Sequence, residues 1–117
     1  MRLEAKKYLW DALAAADAVA GLVAGQSYDE FLADSRTRWA VERQLQNIGE
    51  ALAQLRRKDP EAAAQIPELP RVVAFRNILV HVYTDVDHKI VWGAITTDLE
   101  PLRVRLRAML GGGDAVP

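Results

Sequence analysis

Val41-Glu42-Arg43-Gln44-Leu45-Gln46-Asn47-Ile48-Gly49-Glu50-Ala51-Leu52-Ala53-Gln54-Leu55 decides the fold. Val41, Leu45, Ile48, Leu52 and Leu55 recur at gaps of four, three, four and three. That period lays one apolar stripe along an α-helix and cannot line one face of a strand. Arg43, Asn47, Glu50 and Gln54 run along the opposite side as a wet face. Gly49 interrupts the pattern, and a mid-helix glycine costs about 1 kcal/mol against alanine. Its presence points to a neighbouring backbone or helix pressed close at that position. Asp34 or Ser35 can cap this helix, which is expected to run to about Arg57.

Reading outward, helices continue in both directions. Upstream, Ser27-Tyr28-Asp29-Glu30 has the form of a capping box and opens a single turn through Leu32. Before it, residues 3–24 carry Leu9, Leu13, Ala16, Ala20 and Val23 at helical spacing, with Gly25 as the C-cap. Downstream, Lys58-Asp59-Pro60 breaks the chain and 61–65 offers at most a short helical turn. Ile66-Pro67-Glu68-Leu69-Pro70 is a rigid approach, since each proline disfavours helix in the residue before it. Pro70 suits the first position of the next helix, which is apolar over most of its circumference. That helix is expected to be central in the bundle, or covered on one side by a second copy.

Thr84-Asp85-Val86-Asp87 forms a turn, and Asp87 caps a last helix striped by Trp92, Ile95, Leu99, Leu102, Leu106 and Met109. His88 then falls in its first turn and is expected to be exposed. Pro101 predicts a kink or restart after Asp98. No stretch alternates as a strand does, and no repeat occurs. The expectation is an all-α, up-and-down helical bundle of four main helices plus short helical turns. Residues 1–110 form its single domain, and 111–117 a disordered tail after Gly111-Gly112-Gly113.

Composition narrows the function classes. The chain has 117 residues, half of them hydrophobic, no cysteine and a net charge of −1. Disulfides and thiolate metal sites are excluded. No apolar run reaches the roughly 18 residues of a membrane span, and Met1 to Lys7 lacks a signal-peptide pattern, so a cytoplasmic protein is expected. The near-neutral charge gives no global pull towards nucleic acid, so any such contact must be local. Local positive clusters are Arg36, Arg38 and Arg43; Arg56 to Lys58; and Arg103, Arg105 and Arg107. Each is more simply a solvated face or a helix C-terminus suited to cations.

Chemistry concentrates in Arg76-Asn77-Ile78-Leu79-Val80-His81-Val82-Tyr83. Four polar groups stand there within an apolar helix, where an unpaired polar group costs roughly 1–3 kcal/mol. Asn77 and His81 lie one turn apart on one face, so the amide can fix the imidazole tautomer. Arg76 and Tyr83 share a second face. An imidazole moves protons and a guanidinium holds phosphate oxygens, a pairing suited to a phosphodiester. The plainer reading is a hydrogen-bonded core histidine and a surface arginine. No other chemistry competes: Ser27 and Ser35 sit at caps, no metal-ligand spacing involves His81 or His88, and no phosphate-binding glycine loop occurs.

The string R-N-x-x-x-H-x-Y, with Val86-Asp87 and Val91-Trp92 after it, resembles the signature of HepT-like proteins of the HEPN superfamily. The likeness extends to Ala40-Val41-Glu42-Arg43, Ile48-Gly49-Glu50-Ala51, Ile66-Pro67 and Leu99-Glu100-Pro101-Leu102. Glu68 departs from it, standing where many relatives carry tryptophan. The resemblance implies a two-fold homodimer with the motif helices facing a shared cleft, and metal-independent endoribonuclease activity without a cofactor. It makes His81 the proton-transfer residue, Arg76 the holder of the scissile phosphate and Asn77 the residue that orients His81. It makes Tyr83 the site of AMP modification by a minimal nucleotidyltransferase (MNT-type) antitoxin. Glu50 and Asn47 are candidate braces for Arg76. The alternative is a non-catalytic, nucleotide-binding partner subunit of a nucleotidyltransferase complex.

Overall fold

A computed structural model describes residues 2–81 and 87–111, with the side chains of Ile78, Val80 and His81 outside the description. Six helices account for its architecture, in the order α1 (Leu3–Val23), α2 (Tyr28–Ala33), α3 (Ser35–Lys58), α4 (Pro60–Ala63), α5 (Leu69–His81) and α6 (His88–Met109). Four are long and two are short, so the described residues form the expected all-α architecture.

The boundaries follow local chemistry. Gly25, at φ +75°, takes the left-handed conformation that turns the chain out of α1. At α2 the Ser27 hydroxyl accepts from the Glu30 amide at 3.1 Å, and the Glu30 carboxylate accepts from the Ser27 amide at 3.0 Å. Asp34 caps α3 by accepting from the Thr37 amide at 3.1 Å and hydroxyl at 2.7 Å. Asp59 caps α4, and Asp87 caps α6 through the amides of Lys89 and Ile90. α5 starts one residue earlier than expected, so Pro70 is its second residue, where a missing N–H is equally harmless. Pro101 lies inside α6, and the expected restart after Asp98 does not occur. Proline removes one backbone bond there, while burial of Leu99, Leu102 and Leu106 around it holds the helix together.

Contacts fix the directions. Arg2 donates to the Lys58 carbonyl at 3.4 Å and Glu4 pairs with Lys58 at 3.8 Å, so α1 begins where α3 ends. Glu68 pairs with Arg105 at 3.2 Å and Arg71 with Asp98 at 2.7 Å, which sets α5 antiparallel to α6. Trp92, near the start of α6, packs on Tyr28 and Phe31 of α2 with ring centroids 6.1 and 5.0 Å apart. The start of α6 therefore lies at the end of the bundle where α3 begins. Only residues 82–87 separate α5 from α6, so the His81 end of α5 lies towards the N-terminal half of α3.

α3, not α5, is the central element: α1, α2, α4 and α5 all pack against it. The reason is reach. α5 has 13 residues against 24 in α3, and it buries Leu69, Val73 and Leu79 while leaving Arg71, Ala74 and Asn77 exposed. All five stripe residues of α3 are buried. Glu68 is only 8% exposed, and a carboxylate so placed needs the charge partner that Arg105 provides. Asp17 ties α1 to α6 through Arg103 at 2.8 Å and Arg107 at 2.9 Å. Burial pushes the Asp17 carboxyl up, but the bonds and charges of those arginines outweigh it and hold the group below its ordinary value. Among the described residues no helix is long and apolar enough to cross a membrane. His88 is half-buried rather than exposed. The tail from residue 112 onward lies outside the described residues.

Candidate active site

The site is built on Gly49. An alanine Cβ there would stand 2.3 Å from the Arg76 Cβ, 2.7 Å from its Cγ and 3.3 Å from the Val72 carbonyl oxygen. Only a hydrogen fits. The absent side chain lets α5 seat the root of Arg76 directly on the α3 backbone, the close approach that a mid-helix glycine signals.

From that root the guanidinium is held at two points. Its Nη1 donates to Glu50 Oε2 at 2.5 Å, and its Nη2 donates to Asn77 Oδ1 at 2.7 Å. Glu50 Oε1 in turn accepts from Gln54 Nε2 at 3.3 Å, one turn further along α3. The Arg76 side chain is three-quarters buried, whereas Glu50 is more than half exposed. Arg76 Nε is buried and has no hydrogen-bond partner among the described residues. Charge-assisted bonds of this kind fix the plane of a guanidinium and leave its remaining N–H groups to bind an anion, for which a planar fork suits phosphate oxygens.

The candidate residues are not all drawn together. Glu50 reaches Arg76 because it follows Gly49 immediately and so stands beside the helix contact. Asn47 does not: its amide donates to Gln44 Oε1 at 3.3 Å on its own helix. Asn77, expected at the imidazole, has its carbonyl oxygen on Arg76. The imidazole of His81 lies outside the described residues, as does Tyr83, so the Asn77–His81 contact does too. The His81 backbone closes the last turn of α5, five residues and about 7.5 Å of helical rise beyond Arg76. Gln54 was legible only as part of a polar face; its bond to Glu50 is the i, i+4 contact that such a face permits.

Two other features bound the site. An apolar cavity of about 460 Å³ lies among α3, α5 and α6, lined by Ile48, Val72, Phe75, Ile95 and Leu102, with Arg71 and Asp98 as its charged members. It includes none of Glu50, Arg76 or Asn77. No group of three or more His, Asp or Glu side chains among the described residues is arranged to hold a metal ion.

Fold and site together define a small all-α bundle in which a histidine-bearing helix seats an arginine against a carboxylate of its neighbour. The chain belongs to the ribonuclease HepT-like family, which it matches over residues 12–109. It is 30% identical over 106 residues to a protein of Thermococcus cleftensis named "Probable ribonuclease HepT", covering 88% of this chain and 93% of that one. It is also 30% identical over 100 residues to a "Putative RNase" of Methanocaldococcus jannaschii, covering 86% and 91%. A "Putative RNase" of Caldanaerobacter subterraneus is 28% identical over 88 residues, covering 75% of this chain and 78% of that one. No solved structure gives a significant match.

Proposed function

We propose that this protein is a metal-independent endoribonuclease, the toxin of a two-gene toxin–antitoxin pair of type II or VII character. One observation carries the reading: Arg76 is fixed by Glu50 and Asn77 with N–H groups to spare, on the helix that ends in His81. Membership of a family described as ribonucleases supports it. RNA carries its own nucleophile. His81 takes the proton of the ribose 2′-hydroxyl, the 2′-oxygen bonds to phosphorus, and the bond from phosphorus to the 5′-oxygen breaks. The leaving oxygen takes a proton, and in a two-fold homodimer the second His81 supplies it. Arg76 holds the phosphate oxygens, whose charge grows in the transition state. Asn77 positions Arg76 and, from one turn away, His81.

Tyr83 is the regulatory residue in this reading. An MNT-type antitoxin transfers AMP from ATP to its hydroxyl, the phenolic oxygen bonding to the α-phosphorus as pyrophosphate leaves and the phenolic proton is lost. The added phosphate charge and bulk repel and block RNA. Cleavage of RNA in excess chelator tests the proposal, with wild type beside His81→Ala and with intact mass showing that Tyr83 is unmodified. Cleavage that persists in chelator and vanishes in the variant is expected. An unmodified wild type that leaves cellular RNA intact refutes it and favours a nucleotide-binding partner subunit, a role to which the net charge of −1 is better suited.

A further inference from the structure

Most of the arginines on this chain are already engaged. Arg103 and Arg107 are spent on Asp17, Arg105 on Glu68, Arg71 on Asp98, and Arg38 on the carbonyl of Leu32. Arg36 and Arg43 differ. Both are exposed, and neither, like Arg56 and Arg57 at the far end of α3, has an ion pair or hydrogen bond among the described residues. Between them stands Trp39, 66% exposed, the most exposed aromatic side chain among the described residues.

These three residues are not scattered. At about 100° per residue, Arg36, Trp39, Arg43, Asn47 and Glu50 fall within a quarter-turn of one another on α3. All five are exposed. The stripe ends at Glu50, which holds Arg76. Arg43 lies about 10 Å and Trp39 about 16 Å from Glu50 along the axis, at 1.5 Å per residue. They lie in the direction in which α5 carries His81, because α5 runs antiparallel to α3. A strand whose phosphate sits on Arg76 and passes His81 is thereby led along Arg43 and Trp39.

We propose that Arg36, Trp39 and Arg43 form a substrate subsite for single-stranded RNA, in which Trp39 stacks on a base and the two arginines hold flanking phosphates. The inference rests on the ribonuclease reading above. Stacking needs an exposed ring face and tolerates any base, while unpaired arginines supply the local charge that a chain of net charge −1 otherwise lacks. A duplex would keep its bases stacked internally and leave Trp39 without a role.

The test is steady-state cleavage of a short single-stranded RNA by the full chain in chelator. Trp39→Phe, Trp39→Leu and Arg36→Ala/Arg43→Ala are compared with wild type, and Arg56→Ala, an exposed arginine off this stripe, is the charge control. Loss of stacking in Trp39→Leu should raise KM by about 5- to 100-fold with kcat little changed, and Trp39→Phe should restore most of it. The double arginine variant should flatten the salt dependence of KM by roughly 0.7 per lost phosphate contact, and Arg56→Ala should not. Cleavage with KM unmoved in Trp39→Leu overturns the subsite and leaves the ribonuclease reading standing. Wild type that neither binds nor cuts RNA overturns both. If Trp39→Leu and Trp39→Phe shift the sedimentation of the free protein in step with KM, the face is a contact between copies and the RNA assignment fails.

Discussion

Replacing Gly49 by alanine puts two large effects in opposition, and the structure decides between them. Alanine should stabilise an exposed helix interior by about 1 kcal/mol relative to glycine. Here the new methyl group would lie 2.3 Å from the Arg76 Cβ and 2.7 Å from its Cγ. Carbon atoms in contact sit roughly 3.5–4.0 Å apart, so α5 must withdraw by more than about 1 Å. The closer clashing atom, the Arg76 Cβ, is fixed to the backbone and cannot swing aside by a rotamer change, and Val72 O at 3.3 Å blocks a small slide. Overpacking costs about 1–3 kcal/mol, and a contact against a helix backbone belongs at the upper end. The net expectation is a loss of about 2 kcal/mol, a fall in Tm of roughly 8 °C in a domain of this size. Thermal unfolding followed by circular dichroism reads it directly. Removing the opposing Cβ in Gly49→Ala/Arg76→Gly should recover part of the loss as a favourable coupling in a double-mutant cycle. An unchanged or higher Tm in Gly49→Ala alone would refute the close approach on which the site is built.

Other consequences separate the same forces elsewhere. A Cβ at Gly21 or Gly93 would meet nothing within 4 Å, so Gly21→Ala and Gly93→Ala should each raise stability by up to about 1 kcal/mol in the same assay. Asp17 has its folded pKa lowered, so its contribution is present above the unfolded value near 4 and is lost as pH falls through the folded one. Asp17→Asn should therefore cost about 1 kcal/mol at pH 7, an amount kept small because the side chain is 35% exposed, and the gap to wild type should close in melts as pH falls below the unfolded value and through the lowered folded one. Glu50→Gln should leave Tm nearly unchanged but lower kcat of RNA cleavage by about 10-fold or more, because a loosened guanidinium misplaces the phosphate. An unaltered kcat would remove Glu50 from the positioning of Arg76.

The architecture was legible because its signals are local. Stripes at gaps of four and three, the Ser27–Glu30 capping box and the Asp34 and Asp87 caps each depend on residues within a turn or two. Gly49 was legible as an anomaly, an expensive residue in a good helix, but its partner was not. Nothing in the spacing of α3 names Arg76, 27 residues later, as the side chain that fills the gap. The central position of α3 was missed for a related reason. Apolar circumference suggested α5 as the centre or as a helix covered by a second copy, yet within one chain length and position set how many neighbours a helix can touch. The pairings Asp17–Arg103 and Glu68–Arg105 are invisible in sequence, where both arginines read as part of a solvated cluster. For the candidate site, Arg76 and Asn77 were nominated from the chain and Glu50 through the family resemblance, but the bond pattern among them is tertiary. The Asn77 oxygen accepts from the adjacent guanidinium, a charged donor that makes a strong bond.

Gly49 and Glu50 work on Arg76 from consecutive positions, and that adjacency explains why the arginine is useful. A long flexible side chain at a surface loses roughly 2 kcal/mol of rotamer freedom when it is fixed, a cost that would otherwise fall on substrate binding. Here the loss is met during folding: Gly49 clamps the root of the side chain against α3, and Glu50 and Asn77 fix its tip. The same carboxylate also lowers the positive field that a phosphate would meet. The chain thus trades some electrostatic attraction at Arg76 for a fixed direction of its donors. In the proposed subsite, unpaired positive charge stands further along α3 at Arg43 and Arg36, where holding a strand requires attraction more than precise geometry. On the proposed ribonuclease reading, the carboxylate beside Arg76 and the free arginines further along the same helix face are two sides of one arrangement, orientation at the scissile bond and affinity away from it.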